Sequence, residues 1–116
     1  MPRILVIDDD KDYLAMIRAF LSESKYETSL LDRGDKALEE VQRFKPDIVI
    51  LDILMPGISG GSVYQAIRDT FGYALPIIVV TGTDIRIKGV KDPFLKYLRK
   101  PVDLEVLLKT IQKFTR

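Results

Sequence analysis

Short apolar runs alternate with helical stripes along this chain. Ile4-Leu5-Val6-Ile7, Ile48-Val49-Ile50-Leu51 and Ile77-Ile78-Val79-Val80 are continuously apolar and rich in β-branched residues. Such runs mark central parallel strands buried on both faces. Thr28 to Leu31 and Phe94 to Leu98 read as two weaker strands. Between them, Leu14, Ile17 and Leu21 recur at helical spacing, with Asp10 as N-cap and Asp12 in the first turn. Ala37, Leu38 and Val41 form a second stripe, entered through Gly34 and stopped before Pro46. Val63, Ala66 and Ile67 form a third after Gly60-Gly61, and Leu104, Leu107, Leu108 and Ile111 form the last. Asp84 to Pro93 carries no amphipathic stripe, so the helix expected between the fourth and fifth strands is short or irregular. The alternation predicts an α/β fold with a parallel sheet, helices on both faces and right-handed crossovers.

In such a fold, ligands sit beyond the carboxyl ends of the strands. The residues that follow the best strands are Asp8-Asp9, Asp52 and Thr81-Gly82, and the topology gathers them into one pocket. Composition narrows what that pocket can do. The chain has 116 residues, enough for one domain spanning 1–116 with a core that needs no disulfide or structural metal. It contains neither cysteine nor histidine, which excludes thiolate chemistry and the commonest general base. Chemistry is left to carboxylates, lysine, hydroxyls and backbone groups. The formal charge is +1, without the basic excess of a nucleic-acid module. The N-terminus does not read as a signal peptide, and the apolar runs fall far short of the roughly 20 residues of a membrane helix. The expectation is a cytoplasmic domain that binds neither nucleic acid nor membrane.

Each candidate residue has a bland reading. Asp8, Asp9 and Asp10 suit a polar turn and helix cap, and Asp10 and Asp12 keep that reading. Asp52 is harder to dismiss, because it ends a buried strand and precedes a loop containing Pro56 and Gly57. Asp9 and Asp52 in one pocket would raise each other's proton affinity, which a cation or a lysine would relieve. Lys100 follows the fifth strand and supplies the lysine, and Pro101 leaves open a cis bond that would aim it. Thr81 can donate to a phosphoryl oxygen, although threonine also simply favours strands. Together these residues form a carboxylate, cation and hydroxyl set suited to phosphoryl transfer.

With those residues in place, the whole chain resembles a response-regulator receiver domain of two-component signalling. The resemblance is carried by Ile4 to Asp10, Tyr26-Glu27, Gly34 to Leu38, Pro46 to Pro56 with Gly60, Pro76 to Thr81, and Lys100-Pro101. It implies a flavodoxin-like three-layer α/β/α sandwich with strand order 2-1-3-4-5 and about five helices. It implies Asp52 as phospho-acceptor, taking a phosphoryl group from a phosphohistidine of a sensor histidine kinase or phosphotransfer protein. Mg²⁺, or Mn²⁺, would be held by Asp9 directly, by Asp8 mostly through water, by Asp52 and by the Leu54 carbonyl. Lys100, Thr81 and the backbone of Ile53, Leu54 and Gly82 would contact the phosphoryl oxygens. Thr81 and Tyr97 would form the switch, read by a downstream partner or a missing output domain. The resemblance implies a domain that catalyses its own aspartyl phosphorylation and dephosphorylation without being a turnover enzyme.

Some positions depart from the family. Thr81 and Lys100 are 19 positions apart, fewer than usual. The usual Gly-Ala before the fifth strand is missing. Leu54 and Thr83, which bear on water access to a phospho-aspartate, are bulky and apolar in one case and small and polar in the other. A haloacid-dehalogenase-type phosphatase would need an acid where Leu54 stands. A flavodoxin would need a phosphate-cradling loop after the first strand. The alternative function is a phosphorylation-independent, receiver-like interaction module.

Overall fold

The computed structural model describes residues 2–55, 57–82, 87 and 91–115. In chain order the elements are β1 (Arg3–Ile7), α1 (Lys11–Glu23), β2 (Glu27–Leu31), α2 (Ala37–Phe44), β3 (Ile48–Asp52), α3 (Gly60–Phe71), β4 (Ile77–Thr81), β5 (Leu95–Arg99) and α4 (Leu104–Thr115). All strands pair in parallel, in the order β2-β1-β3-β4-β5. The expected strand order is therefore observed. Four helices are present among the described residues, where about five were expected. The helix expected over 84–93 falls largely outside the described residues, and residues 91–93 are not helical.

Strand alternation divides the core. Leu5, Ile7, Val49, Leu51, Ile77 and Val79 pack with Val41 and Phe44 of α2 and Val63, Tyr64 and Ile67 of α3. The intervening Ile4, Val6, Ile48, Ile50, Ile78 and Val80 pack with Leu14, Ile17 and Leu21 of α1 and Leu107 and Ile111 of α4. Because β1, β3 and β4 are covered on both sides, neither face of these strands tolerates a polar residue until the strand ends. The first polar side chains therefore appear together at one rim.

Capping residues start the helices at that rim. Asp10 Oδ1 accepts from the amides of Asp12 (3.0 Å) and Tyr13 (3.1 Å). Ser59 Oγ accepts from the Ser62 amide at 3.2 Å. Asp103 Oδ1 accepts from the amides of Glu105 (2.9 Å) and Val106 (3.2 Å). These bonds satisfy amides that the first helical turn leaves unpaired. The buried stripe of α2 is Ala37, Val41 and Phe44, while Leu38, expected inside, is among the exposed hydrophobic residues. Spacings of four and three close that stripe on one face, and Leu38 lies a hundred degrees away from Ala37.

Gly60 sets how closely α3 approaches β3. A Cβ at Gly60 would lie 2.3 Å from Ile53 Cα and 2.5 Å from the Asp52 carbonyl oxygen. The Gly60 amide also donates to the Ile53 carbonyl at 3.0 Å. The loop leaving β3 is thus clamped back onto its own strand.

A buried ion pair ties α3 to the entrance of β5. The side chains of Arg68 and Asp92 are 1% and 0% exposed, with Arg68 Nε 2.8 Å from Asp92 Oδ2. Arg68 Nη1 also donates to the carbonyls of Leu75 (2.6 Å) and Gly72 (3.1 Å). The Tyr64 hydroxyl donates to Asp92 Oδ2 at 2.6 Å, and the Phe94 amide donates to Oδ1 at 2.9 Å. Burial alone would raise the Asp92 carboxyl, but donors from Tyr64, Phe94 and Arg68 outweigh it and hold it below the usual range. Burial, and then its hydrogen bond to Asp92, push the Tyr64 hydroxyl up to about 12.

Two substitutions test this scaffold. Arg68→Ala would strand Asp92 as a buried charge and is expected to cost about 3–5 kcal/mol in urea unfolding. Gly60→Ala is expected to cost about 1–3 kcal/mol in the same measurement, because the added methyl meets backbone that cannot swing away.

Candidate functional site

The rim at the carboxyl ends of the strands carries the candidate site. Asp8 follows β1, Asp52 ends β3, Thr81 ends β4 and Lys100 follows β5. Asp8, Asp52 and Thr81 are buried, whereas Asp9 is exposed. Adjacent acids thus face differently, yet Asp8, Asp9 and Asp52 each offer a carboxylate oxygen within 4.8 Å of the other two.

Lys100 bridges two of the three acids. Its Nζ donates to Asp8 Oδ2 at 2.6 Å and to Asp52 Oδ2 at 3.4 Å. Its backbone amide donates to the Thr81 carbonyl at 2.8 Å, which joins the ends of β4 and β5. The Lys100-Pro101 bond is cis. The other Asp8 oxygen accepts from the Asp10 amide at 3.0 Å, and Asp52 Oδ1 accepts from the Leu54 amide at 3.2 Å. Gly82 is exposed beside Lys100, with its missing Cβ position 4.0 Å from Lys100 Cβ. Ile53 is buried, and Leu54 projects into solvent.

The charges respond to this crowding. Burial raises the Asp52 carboxyl above its usual range, and the Asp8 charge adds to that. The Leu54 amide and Lys100 pull the other way without cancelling the shift. Among the carboxylates, the Asp8 charge is the one that adds to the effect of burial on Asp52. Burial by itself would lower the Lys100 ammonium, but its hydrogen bond to Asp8 and the charges of Asp8 and Asp52 carry it upward. Lys100 is therefore charged throughout the physiological range.

Three carboxylates beside one ammonium leave the cluster with a net charge of about −2 when all are ionised. Hard oxygen donors in that number and spacing fit a divalent cation of the Mg²⁺ class, which takes one or two carboxylates and keeps several waters. The structure thus supports a metal-holding acidic pocket made of Asp8, Asp9 and Asp52.

Residues 4–112 match the family model of the response regulator receiver domain. The chain belongs to the response regulator receiver family. Among curated relatives, it is 39% identical over 117 residues to the response regulator MprA of Mycobacterium leprae, covering 98% of this chain and 51% of MprA. It is 35% identical over 115 residues to the protein PilH of Pseudomonas aeruginosa, covering 96% of this chain and 95% of PilH. This receiver therefore spans about half the length of the MprA relatives and nearly all of PilH. Among solved structures, the Vibrio cholerae chemotaxis protein CheY4 superposes with a TM-score of 0.87 at 30% identity, covering 98% of each chain. The BeF3-activated N-terminal receiver domain of Klebsiella pneumoniae RstA superposes with a TM-score of 0.83 at 29% identity, again covering 98% of each. Membership makes this chain a receiver domain of the kind that response regulators of two-component systems carry. Among the described residues, no helix is long and apolar enough to cross a membrane.

Within this receiver the structure brings Asp8, Asp9, Asp52 and Lys100 together, with Thr81 tied to Lys100 through the backbone. Tyr97 lies further along β5, opposite Val79, and its hydroxyl accepts from the Ile87 amide at 2.9 Å. Thr83 lies outside the described residues. One member of the rim escaped the sequence reading. Lys100 Nζ sits 4.5 Å from the centre of the Tyr13 ring, in the first turn of α1. Its sequence signal is an aromatic residue next to the Leu14, Ile17 and Leu21 stripe, at the helix end that starts beside the acids.

Because Asp52 is raised, the native state takes up its proton more readily than the unfolded chain does. Ionised Asp52 then costs stability at neutral pH, and the cost vanishes as pH falls through the raised value. Asp52→Asn, without added divalent cation, is expected to melt a few degrees higher than the parent at pH 7. The two should converge in acid, and millimolar Mg²⁺ should stabilise the parent more than the variant. Thermal unfolding at two pH values, with and without Mg²⁺, checks this.

Proposed function

We propose that this receiver is a phosphorylation-dependent switch in which Asp52 accepts a phosphoryl group from a phosphohistidine on a histidine kinase or histidine phosphotransfer protein. The supporting observation is the meeting of three strand-end carboxylates with a single lysine that contacts two of them.

The roles follow from charge and position. The Asp52 carboxylate attacks phosphorus in line. The phosphorus–nitrogen bond to the donor imidazole breaks, and its electron pair stays on that nitrogen. The product is an acyl phosphate on Asp52 and a histidine free to take up a proton from water. Phosphoryl transfer asks mainly for positioning and charge neutralisation. Mg²⁺ or Mn²⁺, when bound, supplies positive charge to the transferring group. Asp9 would hold the cation directly, Asp8 mostly through water, with Asp52 and the Leu54 carbonyl completing the protein ligands. Lys100 has Asp8 and Asp52 within reach and would turn toward the new phosphoryl oxygens. The Thr81 hydroxyl and the amides of Ile53, Leu54 and Gly82 would donate to the same oxygens. The donor brings the histidine, so a chain with none can take part in this chemistry.

Thr81 and Tyr97 would carry the change of state to a partner-binding face, read by a downstream protein or by an output domain. The Tyr97 bond to Ile87 supports a link between β5 and the stretch preceding it. Dephosphorylation is hydrolysis: water attacks phosphorus, the Asp52–phosphate bond breaks, and carboxylate and inorganic phosphate result. The cycle resets a switch and does not turn over a diffusible substrate. We place it in the cytoplasm, where such donors present their histidines.

Incubation with acetyl phosphate and Mg²⁺, followed by intact-mass measurement, tests the proposal. One added phosphoryl group is expected, absent in Asp52→Ala and after chelation of Mg²⁺. A folded chain that neither binds Mg²⁺ nor gains mass, from acetyl phosphate or from a phosphorylated histidine kinase, would instead be a phosphorylation-independent interaction module.

A further inference from the structure

Among the described residues, Tyr13 contacts Lys100 and is left without a role by the proposed chemistry. Its amide is fixed by the Asp10 cap at 3.1 Å, so the ring is anchored to the start of α1. Lys100 Nζ lies 4.5 Å from the ring centre, well inside the roughly 6 Å at which an aromatic face attracts a cation. The same ammonium touches Asp8 and Asp52, and the Lys100 side chain is only 25% exposed. The ring face thus meets a partly desolvated charge, the setting in which this attraction is largest.

The hydroxyl of Tyr13 points to the same conclusion by elimination. It is buried and has no hydrogen-bond partner among the described residues. An unmet buried donor is a cost that phenylalanine would avoid at equal packing. Hydrogen bonding to the described residues does not account for the placement of this side chain. What remains is its face, against Lys100 on one side and the core between the sheet, α1 and α4 on the other.

We propose that Tyr13 is a positioning residue for Lys100, its ring holding the ammonium between Asp8 and Asp52 so that it meets an incoming phosphoryl group without a search. The inference rests on the reading of Asp52 as acceptor. Without the ring, the lysine keeps its charge and its carboxylate partners but gains freedom to swing outward.

The test uses the full chain and three variants, Tyr13→Phe, Tyr13→Met and Tyr13→Leu, the last two alternatives in case one does not fold. The readouts are the initial rate of Asp52 phosphorylation by acetyl phosphate with Mg²⁺, and the NMR shift of the Lys100 ε-methylene. Tyr13→Phe keeps the face, and is expected to stay within about twofold of the parent rate and to melt no lower. Tyr13→Met or Tyr13→Leu is expected to slow phosphorylation roughly three- to tenfold. Adding either to Lys100→Ala should bring no further loss, because the ring acts only through the lysine. The Lys100 ε-methylene should be shifted upfield by the ring in the parent and in Tyr13→Phe, and lose that shift in the aliphatic variants. Parent-like rates in both aliphatic variants would overturn the proposal. So would a loss in Tyr13→Phe as large as in Tyr13→Met, or an equal loss in the Lys100→Ala background. If the parent itself takes no phosphoryl group, the acceptor reading fails, and the ring-current shift decides alone. An unshifted ε-methylene in the parent then overturns the positioning of Lys100, and a shift lost in the aliphatic variants upholds it.

Discussion

Carboxylates from two neighbouring strands cannot sit at one sheet edge without a cation, and Lys100 is the cation that this chain brings to them. Its ammonium spans the gap from Asp8 after β1 to Asp52 at the end of β3, while its own backbone is bound to Thr81 at the end of β4. One residue therefore ties together four of the five strand ends. The compensation is deliberately incomplete in charge. Three carboxylates face one ammonium, and the pocket is left with affinity for a further cation. A fully neutralised rim would be more stable and chemically idle.

The remainder of the fold carries this local cost. β1, β3 and β4 are apolar on both faces, so burial on the two sides of the sheet holds their ends in register whatever the charges do there. Gly60 brings α3 against the backbone of Asp52 and Ile53, which leaves the end of β3 little freedom to recoil from its neighbours. Caps on α1, α3 and α4 fix the helix starts that surround the pocket. Rigidity of the frame is what allows repulsion within the site to persist instead of relaxing.

Much of this arrangement was legible in the sequence, for a physical reason. A continuously apolar run broken by an acid can be read both as a buried strand and as its end, so β1, β3, Asp8 and Asp52 are set by the same few residues. Lys100 was legible once β5 was placed, since parallel strands bring all their carboxyl ends to one rim. The Arg68 and Asp92 pair was not legible. Arg68 occupies a helix whose basic residues ordinarily point to water, and its partner lies 24 positions on, outside any periodic segment. Leu38 was misplaced because in so short a helix one apolar residue beside Ala37 fits the stripe as well as Phe44 does, until packing chooses. Tyr13 was overlooked because an aromatic in a first helical turn carries no sign that a lysine 87 positions later will cover it.

The clamp formed by Arg68, Tyr64 and Asp92 has a consequence for how this chain can vary. The strand β4 is anchored through Thr81 on one side of residues 83–90, and the chain is anchored again at Asp92 on the other. Whatever sequence lies between those two fixed points starts and finishes at the same places in space. The register of β5, and with it the position of Lys100, is held by its pairing with β4 and by the anchor at Asp92. Descendants of this protein can thus vary between those points while keeping the acidic rim unaltered.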